Sequence, residues 1–515
     1  MTTPPINAPL RARAHGSPAL PARLEPWMQQ LLGDPAACAA LLRDHGSPVN
    51  VLDLAPLAAN AQELIEAGRR REVPTRVFVA RKANKALAVV DEAHRLGHGI
   101  DVGSERELSQ VLGRGVPARD IVLTAAIKPP RLLRLAVESG VCLAVDNADE
   151  LAQLRAITAQ RAREQPESAP APIALRLAPQ PVDGIVPTRF GESAARWLSL
   201  LPAPQERSTG LRIQGVHFHL HGYDPGHRAE GLRHAIALVD ELRDAGHAPD
   251  FIDIGGGVPM SYLEDPEPWE AFWARHEAAV LGEAEPLTWR GAGLGLRREE
   301  GPDGPRLAGH RDLYPYHQQL IRGPWLEQVL DTAASPGTGS GTVADALRER
   351  RLELRCEPGR SMLDGCGLTL ARVVFRKRTS DGIPIVGLEM NRTQCRSTSA
   401  DFLVDPVLVP SSSSETSWEA GEPDDAQTES VQADDDPWDG AVEAHLMGAY
   451  CVEAELILTR RITFPRGVAV GDVIALPNTG GYLMHILESA SHQIPLAANV
   501  IRTDAGFTRD DIDGL

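Results

Sequence analysis

A single lysine at the end of an apolar run is the residue around which the rest of the sequence can be organised. Lys82 closes the β-branched run of Val77-Phe-Val-Ala-Arg-Lys-Ala-Asn84, and a helical pattern follows over 86–96. This pattern predicts a barrel strand with Lys82 at its carboxyl end, where the catalytic groups of (β/α)8 barrels lie. Because a lysine amine condenses with carbonyls, we hypothesise that Lys82 holds pyridoxal phosphate as a Schiff base. The alternative is an ordinary solvated lysine.

Three later strand-like runs also end in residues that could do chemistry: Gly215-Val-His-Phe-His-Leu-His221, the run ending in Gly255-Gly-Gly257, and Leu352-Glu-Leu-Arg-Cys-Glu-Pro-Gly-Arg360. Three glycines after a strand let backbone amides approach a phosphate, to which the next helix adds its partial positive charge. An ordinary flexible loop is the equal alternative. No GxGxxG or GxxxxGK[ST] pattern occurs, which argues against a nucleotide.

The histidines of the first run, His217, His219 and His221, alternate along one predicted strand and could suggest metal ligands. We expect no metal, because no carboxylate cluster accompanies them in the sequence.

Apolar strand-like runs alternate with helical patterns from residue 48 to residue 257. Such alternation predicts a parallel sheet covered by helices, either a barrel or a doubly wound fold, and periodicity cannot choose between the two. Beyond residue 366 the pattern changes to strands alone, which predicts a separate β domain with strands at 368–375, 383–389, 453–462, 473–476 and 499–502.

The predicted organisation has four parts. Residues 1–21 form a disordered tail, 22–52 a segment that packs with the β domain, 53–365 the barrel with a long insertion at 262–350, and 366–515 the β domain. The insertion carries aromatic residues and then the Gly/Ser/Thr-rich stretch 335–342, which predicts a partly mobile segment. The stretch 411–440 is rich in Ser, Asp and Glu without Lys or Arg, which predicts a disordered acidic loop.

Composition excludes several classes of partner. The 515 residues carry a net charge of −18, which argues against a nucleic acid or an anionic membrane as partner. The six cysteines lack CxxC pairs, so neither a zinc site nor a disulfide framework is expected. Neither a signal peptide nor a membrane span is indicated, and we expect a cytoplasmic protein.

The ordered set Lys82-Ala-Asn, His219, Gly255-Gly-Gly, Glu357-Pro-Gly-Arg, Cys451 and Gly481-Tyr482 resembles the group IV pyridoxal phosphate-dependent decarboxylases. These enzymes act on ornithine, lysine, arginine or meso-diaminopimelate and share the alanine-racemase fold. The resemblance spans about 48–257 and then 355 to the end. It implies a (β/α)8 barrel, a C-terminal β domain, the cofactor pyridoxal phosphate, and a homodimer with shared active sites.

The resemblance also implies a role for each matching residue. Lys82 corresponds to the Schiff-base lysine, Asp101 to an acid near it, Arg176 to an arginine facing the ring hydroxyl, and His219 to the imidazole that stacks on the ring. Glu357 corresponds to the carboxylate that pairs with the pyridine nitrogen. The residues implied to hold the phosphate are Gly255, Gly256, Gly257, Gly359, Arg360 and Tyr482.

Cys451 favours decarboxylation, because the family's decarboxylases place a cysteine here, from the partner subunit, to protonate the substrate carbon. Glu455 matches an acid that contacts the substrate's distal amine, although aspartate is usual there. Arg392 and Arg396 could hold a distal carboxylate through paired hydrogen bonds, or could be surface charges. The surrounding segment follows neither the ornithine nor the diaminopimelate pattern, which indicates a divergent subfamily. A racemase or epimerase of the same fold and a non-catalytic pyridoxal phosphate-binding regulator remain alternatives.

Overall fold

The computed structural model describes residues 8–514 except 182–183, 202–209, 303, 336–340, 399–401, 412–437 and 439. Most of the predicted acidic loop 411–440 and of the Gly/Ser/Thr-rich stretch therefore lies outside the described residues. The chain divides into two compact units. One comprises Leu54–Met260 and Leu320–Leu363, and we call it the barrel unit. The other comprises the residues up to Asp53, Ser261–Gln319 and Asp364 onward, and we call it the sheet unit.

The described strands run from two to twelve residues in length. They are β1 His15–Gly16, β2 Val49–Leu52, β3 Thr75–Ala80, β4 Gly99–Val102, β5 Ile121–Leu123, β6 Cys142–Val145, β7 Ala171–Arg176, β8 Leu211–His217, β9 Phe251–Asp253, β10 Leu296–Gly301, β11 Gly304–Gly309, β12 Glu353–Cys356, β13 Gly367–Arg378, β14 Pro384–Leu388, β15 Val407–Val409, β16 Val442–Met447, β17 Ile462–Phe464, β18 Val473–Pro477, β19 Ala498–Thr503 and β20 Gly506–Arg509.

Thirteen α-helices lie within the described residues. They are α1 Ala8–Arg11, α2 Pro26–Leu32, α3 Pro35–His45, α4 Ala55–Arg69, α5 Leu87–Arg95, α6 Glu105–Gly113, α7 Pro130–Ser139, α8 Ala148–Glu164, α9 Ala194–Leu200, α10 Pro225–Asp244, α11 Pro266–Leu281, α12 Arg322–Asp331 and α13 Val343–Glu349.

A closed parallel barrel forms the core of the barrel unit, in the order β12-β3-β4-β5-β6-β7-β8-β9, and β12 pairs with both β3 and β9. Strands buried on both faces need continuous apolar runs, and β4 and β6 are buried at every residue. Helices cover the outside, with α4 against α12 and α12 against α10 and α13. The alternation of strands and helices allowed either a barrel or a doubly wound sheet, and the structure confirms the barrel.

The sheet unit is built around a ten-stranded sheet in the order β1-β17-β16-β14-β13-β2-β19-β20, with β18 pairing β13 and β15. Its core collects α2, α3 and the inward residues of β2, β13, β15, β18 and β19. Strand β2 pairs antiparallel with β13 and parallel with β19, so the chain before the barrel lies within this sheet.

Three expectations differ from the structure. The predicted strand over 453–462 is wrong: strands occur instead at Val442–Met447 and Ile462–Phe464, because 448–456 turns back on itself. The insertion 262–350 is divided, since Ser261–Gln319 belongs to the sheet unit and Leu320–Leu363 to the barrel unit, where α12 and α13 are barrel helices.

The third difference is the N-terminal tail. Described residues from Ala8 to Pro21 are ordered, so the prediction of a disordered tail over 1–21 is wrong for them, and residues 1–7 lie outside the described range. The Asp405 carboxylate accepts from the amides of Gly16 (3.0 Å) and Leu20 (2.8 Å) and pairs with Arg460 at 3.0 Å. These partners are distant in sequence, and local composition cannot reveal them.

In the described part of the chain, no helix combines the length and the apolar composition that crossing a membrane requires.

Candidate active site

The carboxyl ends of the barrel strands collect most of the predicted cofactor residues. Lys82 follows β3, Asp101 lies in β4, Arg176 ends β7 and Glu357 follows β12. Because the strands are parallel and the barrel is closed, these ends share one edge. The amide of Ala80 donates to the carbonyl of Pro358 (3.2 Å), which ties the Lys82 strand end to the Glu357 turn.

The backbone that carries Lys82 is held by its neighbours. The buried Arg81 guanidinium donates to the carbonyls of Asn84 and Lys85, and the Asn84 side chain accepts from the amide of Ala86 at 2.9 Å. These bonds fix a short 3-10 turn over Arg81–Ala83. The Lys82 side chain leaves this turn with 47% of its surface exposed, so its amine remains accessible.

The Lys82 amine lies against a fixed carboxylate. Its Nζ is 3.1 Å from Oδ2 of Asp101, whose side chain is 2% exposed. The other oxygen of Asp101 accepts from the hydroxyl of Thr124. A threonine after a strand is common, so no sequence pattern selects Thr124.

Arg176 is held in place on three sides. Its Nη1 donates to Oδ1 of Asp146 (3.1 Å) and to the carbonyl of Thr124 (3.3 Å). Its guanidinium stacks over the ring of Phe190 at 4.3 Å, and that ring meets His219 edge-on with centroids 6.0 Å apart. Arg176 and His219 are thus brought to one side of the barrel end by Phe190, which sequence reasoning missed.

Glu357 belongs to a buried group with His217 and Asp253. Nε2 of His217 lies 3.2 Å from Oε1 of Glu357, and the ligand-type atoms of all three residues lie within 4.8 Å of one another. That spacing is also suited to a metal ion. Two carboxylates lie beside His217 in space, whereas the sequence shows no carboxylate cluster next to the histidines. Oε1 of Glu357, Oδ2 of Asp253 and both ring nitrogens of His217 make no hydrogen bond within the described chain.

Burial controls the charge of this group. It raises the pKa of Glu357 from 4.5 to about 8, with the charge of Asp101 adding to the effect. It also raises the pKa of Asp253 from 3.8 to about 7 and lowers the pKa of His217 from 6.5 to about 3. A buried acid with one oxygen that makes no hydrogen bond is suited to a basic nitrogen, so Glu357 fits the ring nitrogen of pyridoxal phosphate.

The glycine turn after β9 can only be made by glycines. Gly255 and Gly257 have φ of +66° and +81°, and a Cβ on Gly255 would lie 2.8 Å from the carbonyl oxygen of Phe218. A Cβ on Gly256 would lie 3.0 Å from the carbonyl oxygen of Glu357, whose amide donates to the carbonyl of Gly255 at 2.9 Å. The turn is a cradle that a side chain would fill, as close approach to a phosphate requires.

Gly359 and Arg360 follow Glu357 directly. Gly359 is buried, and the half-buried Arg360 begins a 3-10 helix that ends at Leu363. These two residues therefore continue the barrel edge from Glu357.

The remaining predicted residues lie in the sheet unit. Arg392 and the buried Glu455 are brought together: the Arg392 amide donates to Oε1 of Glu455 (2.8 Å), and its Nε lies 3.4 Å from Oε2. Burial raises the pKa of Glu455. Nη2 of Arg396 donates to the carbonyl of Leu456 at 2.7 Å. Cys451 is exposed, and Tyr482 is half-buried with φ of +69°. Their roles toward substrate and cofactor stay predictions.

Comparison with known proteins shows what the barrel region resembles. The family model for the pyridoxal-binding domain of pyridoxal-dependent decarboxylases matches residues 60–285, which include β3 to β9. Residues 60–285 of this chain are therefore similar to that pyridoxal-binding domain. The cofactor of this chain is pyridoxal phosphate. The match includes the barrel strand ends described above, except for the turn that carries Glu357.

Two curated relatives illustrate the range of similarity. An uncharacterised protein of Sinorhizobium fredii, y4yA, is 29% identical over 88% of this chain and 87% of its own length. The diaminopimelate decarboxylase of Pseudomonas fluorescens is 30% identical over 46% of this chain and 58% of its own length. The similarity to the decarboxylase thus spans little more than half of that enzyme.

Solved structures show the same fold. The diaminopimelate decarboxylase from M. jannaschii, in co-complex with L-lysine, superposes with a TM-score of 0.64 at 18% identity, covering 92% of this chain and 90% of that one. The lysine/ornithine decarboxylase from Vibrio vulnificus, complexed with putrescine, gives 0.60 at 17% identity, covering 93% and 99%. The predicted combination of a barrel with an all-β region is confirmed.

Proposed function

We propose that this protein is an amino-acid decarboxylase that removes the α-carboxylate of its substrate, with Lys82 as the residue that carries the cofactor. The observation that supports this most directly is the accessible Lys82 amine, 3.1 Å from the buried Asp101, at the barrel edge that also bears the buried Glu357. Pyridoxal phosphate supplies an electron sink for the bond to the carboxylate.

Each part of the cofactor has a candidate partner in this chain. The Lys82 amine would hold the aldehyde, the His219 ring the face of the pyridine, and Glu357 the ring nitrogen. Gly255–Gly257 would hold the phosphate, with Gly359 and Arg360 beside them. Asp101, fixed by Thr124, would keep a proton available at the Lys82 amine.

Cys451 is our candidate for returning a proton to the substrate carbon. All six cysteines are described, and Cys451 is the exposed one, which suits a thiol that must meet substrate. We propose that it acts on the active site of a partner subunit in a homodimer, with Tyr482 adding a phosphate contact there. Glu455, Arg392 and Arg396 are the candidates for the far end of the substrate.

The relatives favour a diamino acid as substrate, because they include diaminopimelate decarboxylases and an ornithine decarboxylase of Schizosaccharomyces pombe. Two other functions stay open. One is a racemase or epimerase of the same fold, and the other is a non-catalytic pyridoxal phosphate-binding regulator.

Visible absorbance tests the cofactor assignment. Purified protein supplied with pyridoxal phosphate should absorb in the visible range, and Lys82→Ala should remove that band. Lys85→Ala, three residues along the same segment, is the matched control and should keep it. A colourless wild-type protein, or a Lys82→Ala variant with an unchanged spectrum, contradicts the assignment.

Product analysis separates the three functions. A panel of amino acids is incubated with the protein, and mass spectrometry seeks a product lighter by one carbon dioxide while polarimetry follows optical activity. Decarboxylation with loss of turnover in Cys451→Ala is the expected result, and Cys395→Ala, a buried cysteine of the same unit, should retain turnover. Racemisation without carbon dioxide release supports the second function, and absence of both supports the third.

A further inference from the structure

A buried arginine lies beneath the glycine turn that follows β9. Arg228 is in the first turn of α10 and is 1% exposed. Its Nη1 donates to the carbonyl of Ile254 (2.7 Å), the residue before the turn, and its Nη2 to the carbonyl of Leu220 (3.4 Å). A Cβ on Gly257 would lie 2.5 Å from Nη2. The guanidinium is therefore packed directly against the turn.

Arg228 has no carboxylate as an ion-pair partner among the residues that the structure describes. Its neighbours are carbonyl oxygens and the ring of Trp325, whose centroid is 5.8 Å from the guanidinium carbon. The titratable groups that favour its charge are the Cys356 thiol and the Tyr223 phenol. Burial raises the pKa of the Cys356 thiol well above 9.0, so that this thiol is neutral at neutral pH.

The isolated charge is costly, which calls for a compensating group. Burial lowers the pKa of Arg228 from 12.5 to about 10, so the side chain remains a cation at neutral pH. A buried ion without a counter-ion costs several kcal/mol. A cation in the first turn of a helix is also opposed by the helix dipole. The charge of Arg228 also acts on His219 at the barrel end, because after burial it is the second largest cause that lowers the pKa of that residue.

We propose that Arg228 is the buried counter-charge for the phosphate group of the cofactor, and that it positions the glycine turn which holds that phosphate. The inference rests on the proposed placement of the phosphate at Gly255–Gly257. A phosphate monoester carries about two negative charges at neutral pH. Binding of the phosphate would place an anion near Arg228, whereas a cofactor analogue without the phosphate would leave the charge of Arg228 uncompensated.

Binding of pyridoxal phosphate and of pyridoxal, which lacks the phosphate, tests the proposal without relying on turnover. Full-length protein stripped of cofactor is titrated with each compound, for wild type, Arg228→Gln and Arg228→Lys. Glutamine keeps a donor for the carbonyls but removes the charge, and lysine keeps the charge. Arg228→Gln should weaken pyridoxal phosphate binding by about tenfold or more, because a buried charge acts on the phosphate through a medium of low dielectric constant. Pyridoxal affinity should stay nearly unchanged, and Arg228→Lys should keep the wild-type ratio of the two affinities within a few-fold.

Arg243 provides the matched control. It lies near the other end of α10 and also donates to backbone carbonyls, those of Pro249 (2.9 Å) and Arg350 (3.0 Å). Arg243→Gln should leave the ratio of the two affinities at the wild-type value.

Two results overturn the proposal: an unchanged ratio in Arg228→Gln, or an Arg228→Lys variant that loses the preference for the phosphate form. If Arg228→Gln does not fold, the lysine variant decides alone by the same criterion. Failure of the wild type to bind pyridoxal phosphate would instead reject the proposed function, so the two failures are distinguishable.

Discussion

Glu357 and Asp253 are acids that the fold buries, and each has one carboxylate oxygen that makes no hydrogen bond within the described chain. The barrel brings them together because β9 and β12 are neighbours and each ends beside the other. Because burial penalises the charged form, it raises the pKa of both acids and lowers the pKa of His217 beside them. The stability of the cofactor-free protein should therefore depend on pH in a range where a surface acid would have no effect.

Glu357→Gln should make the stability of the protein less dependent on pH. Since burial raises the pKa of Glu357 from 4.5 to about 8, only the folded state holds this proton inside that window. The contribution of Glu357 to stability is complete below about pH 4.5 and is lost as the pH rises through about 8, by up to about 1.4 kcal/mol per pH unit. Urea unfolding of cofactor-free protein across this window should show a shallower fall for Glu357→Gln than for wild type.

Glu353→Gln, in the strand that Glu357 follows and with a more exposed side chain, is the control and should follow the wild-type slope. Parallel curves for wild type and Glu357→Gln would mean that the acid is not held protonated by burial.

At the scale of elements, the turn after β9 connects three parts of the barrel unit. Its glycines touch the end of β8 through Phe218, the turn after β12 through Glu357, and α10 through Arg228. A backbone this closely surrounded cannot relax to admit a side chain. The turn is therefore the element whose conformation most directly controls whether a phosphate can approach the backbone.

Gly257→Ala should damage this element. The residue has φ of +81°, and the new Cβ would lie 2.5 Å from Nη2 of Arg228. We expect a loss of about 1–3 kcal/mol of stability from the strained backbone. We also expect pyridoxal phosphate binding to weaken by more than about tenfold, which is 1.4 kcal/mol. Thermal unfolding and a cofactor titration measure the two effects.

Gly140→Ala is the matched control, because Gly140 also has positive φ (+75°) but nothing lies within 4 Å of its added Cβ. It should lose stability without losing cofactor affinity. Equal loss of cofactor affinity in both variants would mean that Gly257→Ala acts through general destabilisation and not through the turn.

At the scale of the whole molecule, the sheet unit is assembled from three stretches that are far apart in sequence. Its edge strand β1 pairs with β17, and the buried ion pair of Asp405 and Arg460 fastens the chain that follows β1. Arg460 also donates to the carbonyl of Pro18 at 2.6 Å. The N-terminal segment is thus a structural part of this unit.

Asp405→Asn should destabilise the protein by about 3 kcal/mol, because it leaves the buried Arg460 without its counter-charge. Denaturant unfolding of the full chain measures this loss. Asp381→Asn, which breaks the exposed pair with Arg290 in the same unit, is the control and should leave the midpoint unchanged. A midpoint in Asp405→Asn equal to that of wild type would mean that the N-terminal segment is not held by this ion pair.

The sequence by itself determined the features that depend on local patterns and on motif order. Apolar periodicity determined the βα units, and the ordered motifs pointed to the family and its cofactor. The carboxyl ends of parallel strands must share an edge, so Lys82, Glu357 and the glycine turn could be assigned to one site before any contact was known.

Tertiary structure alone decided what depends on partners distant in the chain. Periodicity is the same in a barrel and in an open sheet, so only the pairing of β12 with β3 decided closure. Thr124, Asp146 and Phe190 became site residues only through the side chains that they touch. The N-terminal segment is hydrogen-bonded to Asp405, which is far from it in sequence. That Arg228 has no carboxylate as an ion-pair partner within the described residues is likewise visible only in space. A sequence lists neighbours along the chain, whereas burial and electrostatics depend on neighbours in space.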